Sequence, residues 1–147
     1  MIRTQNRIRL CNVLILLILA FIWGNSLMPA EISHAFSQWV KKLLEHILPP
    51  QTGIVQEGSG LLRKVAHFAE FSALGFCLTW RRGILHKKIS PALLSGAAAA
   101  ALDETIQIFV PGRGPGITDV LIDSTGVLTG MLLLCLGHTI LTKRKPH

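Results

Sequence analysis

Four long apolar runs, parted by short polar or Pro/Gly-containing segments, organise this chain. Leu10 to Trp23 is almost unbroken apolar sequence behind Arg3, Arg7 and Arg9, and it predicts a first membrane helix over about 8–27. A signal peptide shares that pattern. The nearest approach to a small-x-small cleavage site is Met28-Pro29-Ala30, where Met fits poorly, so an uncleaved signal anchor is expected. From Glu31 to Leu48, the apolar residues Ile32, Phe36, Trp39, Val40, Leu43, Leu44 and Ile47 recur at helical spacing with Lys41, Lys42, Glu45 and His46 between them. This predicts an amphipathic helix over 31–48, too charged to span a bilayer. Its apolar face suits either the membrane surface or packing over the outer mouth of a bundle. Pro49 and Pro50 end it, and QTGIVQEGSG reads as a linker.

Leu61 to Trp80 predicts a second membrane helix, with Arg81, Arg82, Lys87 and Lys88 in the turn that follows. Ser90 before Pro91 reads as a hydroxyl N-cap followed by Pro at the first helical position, opening a helix over 90–110. The segment Gly96 to Ala101 presents little side-chain bulk and allows close approach by a neighbour. A last helix is expected over 117–141, with Gly126 and Gly130 at GxxxG spacing as a packing face. The expected fold class is all-α: a single-domain polytopic membrane protein with four transmembrane helices plus one extracytoplasmic amphipathic helix.

Composition agrees with that pattern. Of 147 residues, 50% are hydrophobic and 16% charged, and the mean hydropathy is +0.47, too apolar for a water-soluble domain of this size. Cys11, Cys77 and Cys135 lie far apart in apolar runs and read as packing residues. The net charge of +7 forms no basic stripe interleaved with aromatics, so nucleic acid is not an expected partner. Charge instead sets orientation. Four spans place Arg3, Arg7, Arg9, Arg81, Arg82, Lys87, Lys88, Lys143, Arg144 and Lys145 on one side without an acid, while all eight acids lie toward the other. The positive-inside rule then makes the N- and C-termini cytoplasmic.

The acids are placed where an ordinary apolar hairpin would not have them. In DETIQIFVPGRGPGITDVLIDSTGVLTG, polar residues sit one to two turns inside each apolar run as well as in the turn. At about 1.5 Å rise per residue, Glu70, Asp103 and Asp123 each fall roughly 9–14 Å below the outer boundary, although they belong to three different helices. Lys64, His67 and Glu70 step by three along one side of their helix, and Asp103 with Gln107, and Asp119 with Asp123, are four apart. A charge deep in a membrane helix costs on the order of 2.5–3.5 kcal/mol, so the set needs a shared explanation. One explanation is structural, with Lys64 or Arg113 against carboxylates, His67 and Gln107 bridging, and Asp119 capping its helix. The other is a water-accessible pocket at the outer leaflet. There His67 and Glu70 form an acid/base pair, and the carboxylates orient it or hold a hard divalent cation. No HExxH or CxxC motif supports a particular metal, and no cofactor is assigned. Arg113, held in the VPGRGPG turn, suits bidentate recognition of phosphate or carboxylate; anchoring at the interface or a salt bridge to Asp119 or Glu104 is the alternative.

The segments WGNSLMP, RKVAHFAEFSALG and DETIQIFVPGRGPGITDVLIDSTGVLTG together resemble the VanZ-like family of small bacterial membrane proteins, named for a member associated with teicoplanin resistance. The likeness runs from about Phe21 to Leu134. It places Lys64, His67, Glu70, Asp103, Glu104, Gln107, Arg113, Asp119 and Gly126 at family motif positions. Asp123 stands where many relatives are expected to carry Asn, and Pro115 where they carry small polar residues. The resemblance implies a protein of the bacterial cytoplasmic membrane linked to the cell envelope and to glycopeptide tolerance.

The expected function is an outer-leaflet polar pocket that binds or modifies an amphiphilic lipid, a lipid-linked envelope precursor or a lipoglycopeptide. His67, Glu70, Asp103, Glu104 and Asp119 are the candidate catalytic residues, and Lys64, Gln107 and Arg113 the candidate substrate-binding ones. The alternative is a non-enzymatic scaffold whose polar network is structural and whose amphipathic helix docks lipid or a partner.

Overall fold

A computed structural model describes residues 2–47, 59–84, 87–114 and 116–143 of the chain. Its elements are α1 (Ile2–Ser26), α2 (Ala30–Ile47), α3 (Ser59–Ile84), α4 (Ser90–Ile108) and α5 (Ile117–Lys143), with no strand among the described residues. The Pro49–Pro50 stop, most of the QTGIVQEGSG linker, His86, Pro115 and the charges Arg144 and Lys145 lie outside the described residues.

Helix ends depart from the sequence expectation where local chemistry decides them. α1 begins at Ile2, so Arg3, Arg7 and Arg9 lie within the helix rather than before it. α3 extends to Ile84 and absorbs Arg81 and Arg82 into its last turn, where cations oppose the negative end of the helix dipole. Ser90 is not the N-cap of α4. Ile89 takes that position without a side-chain cap, and its carbonyl accepts from the Ala92 N–H at 2.8 Å. Pro91 then sits in the first turn, where its missing N–H costs no intrahelical bond. α4 ends at Ile108, with the Phe109 and Val110 N–H groups bonded back to Ile106 and Gln107 at 3.1 Å each. Gly112, at φ 73°, adopts the left-handed conformation that turns the chain. The turn rests on the start of α2, whose Ala30 N–H donates to the Pro111 carbonyl at 3.4 Å.

α1 runs antiparallel to α3, as two side-chain contacts far apart along the pair demonstrate. Arg81 Nε donates to Asn12 Oδ1 at 2.6 Å near one end, and Asn25 Nδ2 donates to Glu70 Oε1 at 3.2 Å toward the other. Arg7 also lies over the Trp80 ring at 5.9 Å, a cation–π contact at the basic end. The buried core is Ile22, Phe71, Leu74, Ala100 and Val127, drawn from α1, α3, α4 and α5. α3 and α5 pack most intimately. A Cβ at Gly126 would lie 2.6 Å from the Phe68 carbonyl oxygen, and one at Gly130 or Gly75 would overlap the carbonyl of Ser72 or Val127. Gly96 of α4 is likewise covered by the Val127 side chain. The GxxxG pair and the small-residue stretch therefore do serve close helix packing.

Two helices, Ile2–Ser26 and Ile117–Leu141, are long and apolar enough to cross a membrane; α3 and α4, which carry much of the polar cluster, do not meet that test. At about 1.5 Å per residue, 25 residues reach about 38 Å, beyond the roughly 30 Å of a hydrocarbon core. Only 11% and 22% of their most apolar windows are buried in the protein, whereas the central helix of a soluble protein is mostly covered. Outward-facing Leu16, Leu17, Leu132, Leu133 and Leu136 are among the residues that leave an apolar exterior. α2 also turns Ile32, Phe36, Trp39 and Leu43 outward, with the Phe36 and Trp39 rings stacked at 6.1 Å. It touches the bundle through the opposite side, where Ser37 is buried.

The intimacy of α3 and α5 gives a direct expectation. Gly130→Ala forces the two backbones apart and should lower the thermal unfolding midpoint in detergent, at a cost of about 1–3 kcal/mol. Gly24→Ala, with nothing within 4 Å of the added carbon, should leave the midpoint unchanged or raise it.

Candidate functional site at the converging helix ends

The end of α1, the start of α3, the end of α4 and the start of α5 meet at the pole opposite the Arg7–Trp80 contact. Asp103 is the centre of this pole. Its side chain is fully buried, and Oδ2 accepts hydrogen bonds from Ser26 Oγ at 2.8 Å and Gln107 Nε2 at 2.9 Å. Gln107 also donates to Ser26 Oγ at 3.2 Å, closing a three-membered network between α1 and one face of α4. His67 reaches the same carboxylate from α3, with Nδ1 3.8 Å from Oδ2. An imidazole set against an oriented carboxylate is an arrangement suited to accepting and passing a proton.

Glu70 does not pair with His67. Three residues on one helix stand about 60° apart in projection, and that rotation turns Glu70 to Asn25 of α1 while His67 faces Asp103. The expected His67–Glu70 pair is therefore a His67–Asp103 pair. Glu104 serves a role that its position in the sequence does not suggest. Its Oε2 accepts the Gly116 N–H at 3.0 Å, satisfying a backbone donor just ahead of α5 from the neighbouring helix. Asp119, expected to cap α5, lies inside its first turn, and its own N–H bonds to the Gly116 carbonyl at 2.9 Å. The Asp119 carboxylate turns instead to α3, 3.6 Å from Lys64 Nζ and 3.9 Å from the Arg63 guanidinium.

Arg113 forms no salt bridge to Asp119 or Glu104. Nη2 donates to the Asn25 carbonyl at 2.8 Å and Nε to the Met28 carbonyl at 3.1 Å, so the guanidinium ties the end of α1 to the α4–α5 turn. Nη1 is buried without a hydrogen-bond partner. Burial, with Arg63 nearby, pulls the guanidinium below its usual pKa, and Asp103 and Glu104 oppose that pull. A side chain expected to greet a ligand at the surface is thus engaged in holding the helix ends together.

A small cleft of about 10 Å³ remains between these groups, lined by Arg63, Lys64, His67, Gln107, Asp119 and Asp123 among others. That is room for about one water molecule. Lys64 is 45% exposed at its mouth, whereas Asp123 is 1% exposed at its floor. Three participants have no role that sequence alone assigns: Asn25, Ser26 and Arg63. Asn25 and Ser26 are visible as adjacent polar residues closing an apolar run, but only contact with Asp103 and Glu70 gives them a role. Arg63 precedes Lys64 and shares its partner. Asp123, at the level of Asp103 in the sequence pattern, brings its carboxylate to the centre of the cluster.

The fold and this pole define an all-helical protein with two membrane-compatible helices and a buried polar cluster where its helix ends meet. The VanZ/LLP1 family model matches residues 12–138, and the chain belongs to that family. No curated protein and no solved structure matches it.

Ser26 gives the sharpest test of the network. Ser26→Ala removes a hydrogen bond to a buried carboxylate and should destabilise the protein by about 1.5–3 kcal/mol in detergent unfolding. Ser95→Ala should be near neutral, because the exposed Ser95 hydroxyl only bonds back to the Pro91 carbonyl of its own helix.

Proposed function

We propose that this is a multi-pass protein of the bacterial cytoplasmic membrane, with four spanning helices and both termini in the cytoplasm. In this reading the polar pole faces outward and binds the anionic head group of an envelope lipid or lipid-linked precursor. The observation that carries the proposal is the pairing of Arg63 and Lys64 with the single carboxylate of Asp119 at 3.9 and 3.6 Å above a floor of half-buried His67 and buried Asp103. Ion pairs this long and partly exposed contribute little stability, so an incoming anion displaces them at small cost. The cleft accepts no whole head group in its present form. A phosphate or carboxylate therefore enters by moving Lys64 aside and taking the place of Asp119 between the two cations.

With the anion so held, His67, oriented by Asp103, is the group nearest to hand for proton transfer, while Glu104, Asp119 and Asp123 complete the acidic lining. The family link to teicoplanin resistance fits an activity directed at a surface amphiphile. Retained lipid, measured by native mass spectrometry of the protein from detergent, should be anionic in the wild type and lost from the Arg63→Gln/Lys64→Gln double variant. Equal retention by both would sink the head-group reading. For the chemical part, cells lacking the protein and cells carrying only His67→Gln should accumulate the same envelope lipid species; His67→Gln cells with a wild-type lipid profile would exclude proton transfer by this residue.

A second reading has its own support in the outward apolar face of α2. If the protein acts as a scaffold, Phe36→Ser and Trp39→Ala should reproduce the envelope lipid profile of cells lacking the protein at normal protein abundance, and His67→Gln should not.

A further inference from the structure

We propose that His67, Asp103 and Asp123 hold a divalent transition-metal ion, of the Mn²⁺ or Zn²⁺ class, at the floor of this cleft. The inference rests on the reading of the cleft as a ligand site and requires no particular head group; with the ion bound, His67 is a ligand and no longer the proton-transfer group. One ligand atom from each of the three side chains lies within 4.8 Å of the other two, and the three residues come from α3, α4 and α5. Donors bound to one tetrahedral ion at about 2.0–2.2 Å stand roughly 3.3–3.6 Å apart, so atoms at the 4.8 Å limit close on the ion by roughly 1.2–1.5 Å, a side-chain rather than a backbone movement.

The second observation is independent of that proximity. Asp103 and Asp123 are 0% and 1% exposed, and Asp103 Oδ1 and Asp123 Oδ2 are buried with no hydrogen-bond partner. Burying an ionised carboxylate without a partner is strongly unfavourable. The cations nearby do not supply one. Arg63 and Lys64 pair with Asp119, and Arg113 donates to main-chain carbonyls, so among the described residues no Lys or Arg forms an ion pair with Asp103 or Asp123. A divalent ion between two carboxylates and a neutral imidazole cancels the charge of both.

The surroundings fit a ligand set. Ser26 and Gln107 both donate to Asp103 Oδ2, which fixes the carboxylate and leaves Oδ1 free to ligate, as outer-shell donors do around metal-binding carboxylates. His67 and Asp123 line the cleft, so the ion's remaining positions face water or an oxygen of a bound ligand. Mixed imidazole and carboxylate donors suit Zn²⁺ and Mn²⁺. Ca²⁺ and Mg²⁺ favour all-oxygen sets, and Cu(I) favours sulfur.

The test uses the full chain purified in detergent, stripped with chelator, and loaded separately with Mn²⁺ and Zn²⁺. Wild type should retain about one ion per chain after gel filtration by elemental analysis, and should immobilise Mn²⁺ in its electron paramagnetic resonance spectrum. Asp123→Asn and His67→Gln should each weaken binding at least tenfold, while Glu31→Gln, an acid on α2 outside the cluster, should bind as wild type does. Far-ultraviolet circular dichroism identifies any variant that has not folded, and the wild-type stoichiometry tests the proposal even if both variants fail to fold. Folded wild type with no stoichiometric ion, or a folded Asp123→Asn variant that binds as well as wild type, overturns the proposal. Lipid retention in the same samples separates the two readings: lipid kept without metal removes the ion alone, and metal kept without anionic lipid removes the head group alone.

Discussion

Buried carboxylates among apolar helices are the constraint on which the rest of this structure depends. Asp103 and Asp123 are wholly enclosed, Glu104 nearly so, and each sits in a helix that is otherwise apolar. Such groups are tolerated only where donors or cations converge on them. Around Asp103 the convergence is built from three helices and a turn: Ser26 from α1, His67 from α3, Gln107 from α4, and the Arg113 turn that clamps α1 in place. Displacing any one of those ends leaves a carboxylate oxygen without its partner.

The glycine contacts and the polar pole are one arrangement. Aspartate is short, so helices must pass unusually close for Asp123 of α5 to reach His67 and Asp103. Gly126, one turn beyond Asp123, lies against the Phe68 carbonyl, next in sequence to His67. Packing of small residues therefore sets the backbone separation that makes the cluster possible. Gly130 and Gly75 continue the same close path toward the basic pole, where Arg81 meets Asn12.

Much of this is legible in the sequence because helix periodicity, Gly spacing and the depth of charged residues are local signals. They place five helices, the glycine packing face of α5 and the common level of Asp103 and Asp123. What they do not resolve is rotation about each helix axis. His67 and Glu70 share a side of α3 in a helical projection, yet they face different helices. Arg113 looks available in its Gly/Pro turn until the carbonyls of Asn25 and Met28 come into reach across the fold. Ser26 carries no signal beyond being a hydroxyl at the end of an apolar run, because its importance comes entirely from a residue distant in sequence. Ser90 misleads for the opposite reason: a good capping residue is present, but Pro91 already suits the first turn and the cap falls to Ile89.

A polar pole and a basic pole at opposite ends of an apolar bundle, in a chain of the VanZ/LLP1 family, make orientation in the membrane the central claim. It is tested most directly by single-cysteine accessibility in a background with Cys11, Cys77 and Cys135 replaced. Thr118→Cys marks the exposed rim of the polar pole, and Lys88→Cys marks the basic side. In intact spheroplasts a membrane-impermeant maleimide should label Thr118→Cys, and should reach Lys88→Cys only after the membrane is opened. Labelling of Lys88→Cys from outside, with Thr118→Cys protected until lysis, would contradict the account.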